Sequence, residues 1–413
     1  STFNSNTCDN LGGAIYVDSL TTCEIYNSSF TNNGAWNGGA IATIGGGKLR
    51  IQGSNISNNN AVGYNPNPDY DYPTFGGGGG IYQEWSDSLE IYDSEISNNT
   101  AVNAPGGGIA IYLSNDIIID NIILNNNSSS GGGGGVMFLR TDNVLFENST
   151  IANNISQENS GGGIFIGSES GLESIVVHAT FNRLTLVNNS ALSGGAIFCW
   201  SAILNLYHST LAQNEASNSE WSGGGLASHY VSRPNIRSSL FYNNLPNSIH
   251  NGYPQTPVFV AYSLVQEQWA GGGNLIDIDP LFCDPDSGYY SLAENSPCVG
   301  TGEDGANMGA FDIGCDAIIL NISDELVPVT YTLHQNYPNP FNPVTTLRYD
   351  LPENDMINIT IYDMLGRQVK TLVNQTQDAG YRSVIWDATN HYGKPVSAGI
   401  YLYQIQAGEY IST

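Results

Sequence analysis

The sequence predicts an all-β chain in two parts, a long solenoid of parallel strands and a small antiparallel sandwich. Three observations predict it. A Gly-Gly-apolar unit returns about every 28 residues. A second apolar register runs into an Asn pair once per repeat. After "CDAIILNISDELVPV" the composition changes to proline-rich sequence followed by strand-like runs. The boundaries drawn from these are a solenoid with its terminal segment over 1–316, a linker over 317–330 and a sandwich over 331–413.

The Gly-Gly unit sets Ile15, Ile41, Ile81, Ile109, Val136, Ile164, Ile197 and Leu226 at one register, with spacings of 26, 40, 28, 27, 28, 33 and 29. The long spacing holds an inserted loop, "GYNPNPDYDYPTF", Gly63 to Phe75. The second register carries Phe30, Ile56, Ile96, Leu124, Ile151, Leu186, Leu211 and Phe241, with Phe3 as a partial copy. Apolar pairs such as Leu49/Ile51, Leu89/Ile91 and Val144/Phe146 lie seven and five positions upstream. Apolar residues alternate with period 2, the mark of strands with one buried face, and no segment sustains a helical period.

A period near 28 fits one coil of three short strands and three corners, stacked on its neighbours about 4.8 Å away. About nine or ten such coils make a rod roughly 45 Å long. At a corner Asn tolerates left-handed backbone, and stacked Asn side chains can hydrogen-bond as a ladder. The glycines allow tight turning and close backbone approach.

These GGAI-type units resemble the right-handed parallel β-helix proteins of the pectate-lyase-like superfamily, over about residues 1 to 316. The stretch from Asn274 to Gly314 is similar to the terminal segment of secreted bacterial members. The resemblance implies three strands per coil and an extracellular setting.

The C-terminal runs "MINITIYD", "RQVKTLV", "YRSVIWD" and "AGIYLYQIQAG" alternate with turn signals and read as an immunoglobulin-like antiparallel sandwich. Trp386, Ile359 and Ile361 are its expected core. Gln335, Asn336, Tyr337, Pro338, Asn339, Pro340, Phe341, Asn342 and Pro343, then Gly366, Arg367 and Trp386, resemble the type A sorting domain of the type IX secretion system of Bacteroidetes. That resemblance implies passage across the outer membrane by the type IX machinery and an extracellular or cell-surface location. Family members continue beyond the position of Thr413 into a lysine-flanked strand. At the other end Ser1 falls inside a coil, whose edge is expected to be covered by a cap or by another molecule.

Thirty-eight acidic and 11 basic residues give a net charge of −27. Nucleic acid is disfavoured as a partner, since phosphate binding needs clustered Lys and Arg. The apolar runs are too short to predict a transmembrane segment. Six cysteines are too few for a disulfide scaffold; Cys283, Cys298 and Cys315 form the group expected to include a pair, with buried free thiols as the other reading.

Catalytic residues are not indicated. No carboxylates recur at matching positions in adjacent coils, and His178, His208 and His229 fall at different registers. Asp277, Asp279, Asp284 and Asp286 are the densest acidic run; calcium is the metal they would take, and Asx turns are the other reading. Outward positions of the strand after the glycines hold Tyr16, Tyr82, Tyr112, Met137, Leu139, Phe165, Phe198 and Trp200. Stacking aligns them into an apolar stripe, expected to serve glycan binding, self-association or docking, or to lie under the protein's own loops. Asp18-Ser19-Leu20 and Asp87-Ser88-Leu89 resemble the O-glycosylation triplet of exported Bacteroidetes proteins, marking Ser19 and Ser88.

The sequence therefore favours a secreted or cell-surface, non-catalytic β-helix protein with an adhesive or structural role, assembling head to tail in its bolder form. The alternative is a polysaccharide lyase or glycoside hydrolase. A cleft with two or three carboxylates and a basic residue on adjacent coils would mark it.

Overall fold

A computed structural model of the chain describes residues 1–18, 21–63, 76–168, 177–218, 222–267, 269, 271–318, 328–341 and 343–413. The chain divides into two compact units, Ser1–Ile318 and Ile319–Thr413.

Parallel strands of the first unit stack into three long sheets. The anchor sheet has 11 strands, from Thr2–Asn4 to Leu275–Ile276. The stripe sheet has nine, from Ile15–Asp18 to Ile249–Asn251, and the third sheet nine, from Thr21–Tyr26 to Phe259–Ala261. Both registers read from the sequence are paired as expected: Ile81 sits on Ile41 and Ile109, and Ile96 on Ile56 and Leu124. To these the structure adds a fourth, shorter ladder of seven two-residue strands, Gly34–Ala35 to Glu215–Ala216, between the Asn pair and the glycines.

Inward residues of successive coils, among them Ile41, Ile81, Leu89, Phe138 and Leu186, are fully buried in one continuous core. In the first coil Phe3, Ile15 and Cys23 are only partly buried against it.

The Asn pair divides its work. The first member turns the corner: Asn32, Asn58, Asn98, Asn126 and Asn153 all have φ between +53° and +57°. The second member builds a ladder running from exposed Asn6 through buried Asn33, Asn59, Asn99, Asn127, Asn154, Asn189, Asn214 and Asn244. At Asn99 both the backbone N–H and the side-chain amide donate to Asn127 Oδ1 at 3.0 Å. The second amide hydrogen goes back to the Ile56 carbonyl at 2.9 Å.

Each glycine pair also has two tasks. Gly106 has φ +67°, and a Cβ there would lie 2.4 Å from the Ile109 carbonyl oxygen. A Cβ on Gly107 would lie 2.2 Å from the Gly134 oxygen of the next coil. The first glycine permits the turn and the second permits stacking.

The terminal segment lies along the outer face of the anchor sheet. Phe282, Tyr290, Leu292, Cys298 and Met308 pack on Ala152, Val187, Ala212, Leu240 and Leu264. Cys283 and Cys315 are bridged, while Cys298 is free, with its thiol pushed up to about 12 chiefly by burial.

The second unit is a two-sheet sandwich, one sheet of three strands and one of four. Trp386, Ile359 and Ile361 are buried in its core with Leu347, Tyr349 and Ile405.

The ladder gives a sharp contrast between adjacent asparagines. Asn127→Ala leaves the Asn99 donors and the Ile96 carbonyl buried without acceptor or donor, and is expected to cost about 3–4 kcal/mol in urea unfolding. Asn126→Gly, at the positive-φ corner, is expected to stay within about 0.5 kcal/mol of the parent.

Candidate functional site

Outward side chains of the stripe sheet form two columns. One holds Tyr16, Ala42, Tyr82, Ala110, Met137, Phe165, Phe198, Ala227 and His250; the other includes Ile44, Glu84, Tyr112, Leu139, Trp200 and His229. The alignment is the one expected, but an open stripe is not what it makes. Tyr82, Tyr112, Met137, Leu139 and Phe198 are buried, while Tyr16 is exposed and Phe165 and Trp200 are half-buried. Tyr82, Tyr112, Met137 and Leu139 instead form a second apolar cluster with Ala42 and Ala110. The Tyr112 hydroxyl donates to the Gly76 carbonyl at 3.3 Å, which sets that backbone against the cluster.

Glu84 sits in this buried stretch. The Tyr82 hydroxyl donates to its Oε2 at 2.8 Å, and burial raises the carboxyl above the usual range. A carboxyl desolvated this way is a recognised pointer to chemistry. Among the described residues, however, no group of three His, Cys, Asp or Glu side chains is arranged to hold a metal ion.

Toward the later coils the columns open into an aromatic run. Phe165 stacks on Phe198 with centroids 5.3 Å apart, and Phe198 stacks on His229 at 5.1 Å. Trp200 lies 4.1 Å from Tyr230, which stands 45% exposed at the corner with φ +53°. His250 lies 5.5 Å from His229, and burial together with that neighbour lowers its pKa.

Past the corner, on the third sheet, Arg233, Asn235, Arg237, Gln255 and Phe259 line an open groove of about 540 Å³. The Arg237 guanidinium lies 5.2 Å from the Phe259 ring centroid and is ion-paired to Glu303. The Arg233 side chain makes no ion pair or hydrogen bond among the described residues. Aromatic faces and guanidinium forks thus meet around one corner, a combination suited to sugar rings and oxyanions. The sequence hint was the closeness of Arg233 to Arg237; Tyr230 and Phe259 were not singled out.

The other candidates fall elsewhere. Asp279 accepts the Leu281 N–H at 2.9 Å and Asp284 accepts the Ser287 N–H at 3.2 Å, both as local turn caps. Asp277 has positive φ and Asp286 lies in the short helix that Asp284 caps. His178 pairs with Asp142 on the third sheet, apart from His229 on the stripe sheet. Ser88 is half-buried at the start of the strand Ser88–Tyr92; Ser19 lies outside the described residues.

In the second unit the proline-rich motif is tied to the sandwich. The Asn336 amide nitrogen donates to Thr345 Oγ1 at 2.9 Å, and its backbone N–H donates to the Tyr403 hydroxyl at 3.1 Å. Phe341 packs 5.2 Å from Trp386. Asn339, Pro340 and Pro343 line a cavity of about 520 Å³ with Trp386 and Tyr401; the Pro338 carbonyl accepts from Thr345, and Asn342 lies outside the described residues. Gly366, φ +74°, and Arg367 complete a hairpin turn in which Asp363 accepts the Leu365 and Arg367 N–H groups.

A coiled stack of parallel strands and an immunoglobulin-like sandwich define the class. Two overlapping matches to the right handed beta helix region family cover 1–131 and 70–209, together just over half of the chain, which therefore belongs to that family. Residues 344–409 are similar to the FlgD Ig-like domain. No curated protein matches the chain.

Glu84 gives a test of the buried stretch. Its folded pKa is raised, so the stability it contributes is present below the unfolded value near 4.5 and is lost as pH rises through the folded value. Glu84→Gln is expected to stabilise the protein by about 1 kcal/mol at pH 7 and to leave stability at pH 4 nearly unchanged in thermal melts.

Proposed function

We propose that the protein is a secreted or cell-surface, non-catalytic β-helix protein with an adhesive role, which holds extracellular glycans on the later coils. The observation that carries this is the run Phe165–Phe198–His229, continued by Trp200 and Tyr230 at the corner and by Arg233, Arg237 and Phe259 beyond it. Flat aromatic faces stack on sugar rings, and arginine forks fix hydroxyl or carboxylate groups. A net charge of −27 suits a protein that stays dispersed outside the cell.

A polysaccharide-cleaving activity is the second reading, favoured by the raised Glu84 carboxyl beside Tyr82. A glycan panel separates the two. The full chain is expected to bind without releasing reducing or unsaturated sugars, and Trp200→Ala to weaken binding about tenfold or more. Release of sugars would establish the enzyme instead.

The bolder form of the proposal is head-to-tail self-association of the β-helix. Concentration-independent sedimentation as a monomer would remove it.

Export by the type IX machinery is proposed from the motif running through Asn336, Pro338, Phe341 and Pro343. In a host with that machinery, deleting 331–413 is expected to leave the β-helix inside the outer membrane. Surface or medium fractions containing the deleted form would count against it.

A further inference from the structure

The corner that follows the third sheet is left-handed in successive coils. It is occupied by Asn27, Gly53, Asp93, Asn121, Asn148, Arg183, His208, Ser238 and Tyr262, with φ between +43° and +62°. The first five are residue types that adopt this backbone readily, and so is His; Arg is not. Arg183 donates its backbone N–H to the Tyr207 carbonyl and His208 donates to the Arg237 carbonyl, so the two occupy adjacent rungs. The departure at Arg183 directs attention to its side chain and to His208 on the next rung.

The terminal segment supplies the other wall. Its Glu303 N–H donates to Ser238 Oγ at 2.9 Å, Gly309 N–H to the Ser238 carbonyl at 2.8 Å and Ala310 N–H to Thr210 Oγ1 at 3.0 Å. A loop clamped there borders a half-open surface cavity of about 270 Å³ with exposed Arg183, Phe311 and Asp312 and with His208, Asn307 and Gly309 in its lining. Of the acids on this segment, Glu303 is paired to Arg237, while Asp312 in the lining accepts from the Asn307 amide at 3.2 Å and keeps its charge. Among the described residues the Arg183 side chain has neither a hydrogen bond nor an ion pair, in a chain of net charge −27.

We propose that this cavity binds one ring-sized ligand bearing a carboxylate or sulfate. Arg183 takes the oxyanion through its fork, His208 adds a ring nitrogen, and the face of Phe311 packs against the ring. The volume lies just below the usual small-molecule range of about 300–1,000 Å³ and matches a single ring. The site is separate from the aromatic run and does not depend on the adhesive reading.

Calorimetry on the full chain with glucuronate, glucose 6-sulfate, glucose and inorganic sulfate tests it. The two charged rings are expected to bind, with glucose and bare sulfate each at least about tenfold weaker. Arg183→Asn restores the residue type found at Asn121 and Asn148, so its Tm is expected to be unchanged or about 1–2 °C higher. The same variant is expected to lose at least about tenfold in affinity for the charged rings. Trp200→Ala should leave this binding intact, which keeps the site distinct from the adhesive surface. Equal binding of glucose and glucuronate, no binding of either charged ring at 20-fold molar excess over about 1 mM protein, or full affinity in Arg183→Asn would overturn the proposal.

Discussion

The buried asparagine ladder is the constraint on which the rest of the first unit depends. Each Oδ1 receives two donors from the preceding rung, as Asn154 does from the Asn127 backbone and side chain at 3.0 Å. Each side-chain amide then satisfies a carbonyl one coil back, as Asn154 does at Leu124. No rung can be replaced alone, because its neighbour's donors would be left buried. What lies between rungs is free to vary. Ladder partners are 25 residues apart at Asn189–Asn214 and 40 apart at Asn59–Asn99, yet the geometry of the rung is the same. Insertions are therefore confined to the other corners.

With the interior fixed by the ladder, the coils differ on their outer faces. Outward positions of the anchor sheet are polar in early coils, at Ser57 and Ser97, and apolar later, at Ala152, Val187 and Ala212. The change marks where the terminal segment packs. The stripe sheet differentiates in the same way, closed around Tyr82 and Tyr112 and half-open at Trp200 and His229. Later coils thus carry a covered face, an aromatic face and a basic groove at once.

Registers, a ladder of stacked Asn side chains, and the sandwich core at Trp386 and Ile359 were legible because all follow from local periodicity, whereas the division of turning and ladder between the two members of the Asn pair was not. Burial of the stripe was not. Tyr82 and Met137 read as outward from strand alternation, which says which way a side chain leaves its own coil and nothing about what lies over it. Cys283 and Cys315 could not be separated from Cys298 by spacing. The structure places the bonded pair on strands flanking Tyr289–Ala293 and leaves Cys298 in the packed interface below. Spacing alone does not mark Arg183 and His208 as neighbours at one left-handed corner.

Charge ties these outer faces together. Lys48 and Arg50 in an early coil share Glu90, and Arg237 reaches Glu303, so three of the solenoid's six basic side chains have a carboxylate partner. Arg183 and Arg233, on later coils, carry no such partner among the described residues. Around a strongly acidic rod, a guanidinium without a carboxylate beside it is a local exception to the field. Screening limits that field to about 8–10 Å at physiological salt, so contact chemistry at these two positions outweighs the repulsion of the distant charges. The repeat makes a scaffold whose coils are interchangeable in their interior, and binding chemistry can accumulate only where outward or corner residues depart from it. Both departures with free cationic groups fall on the same later coils.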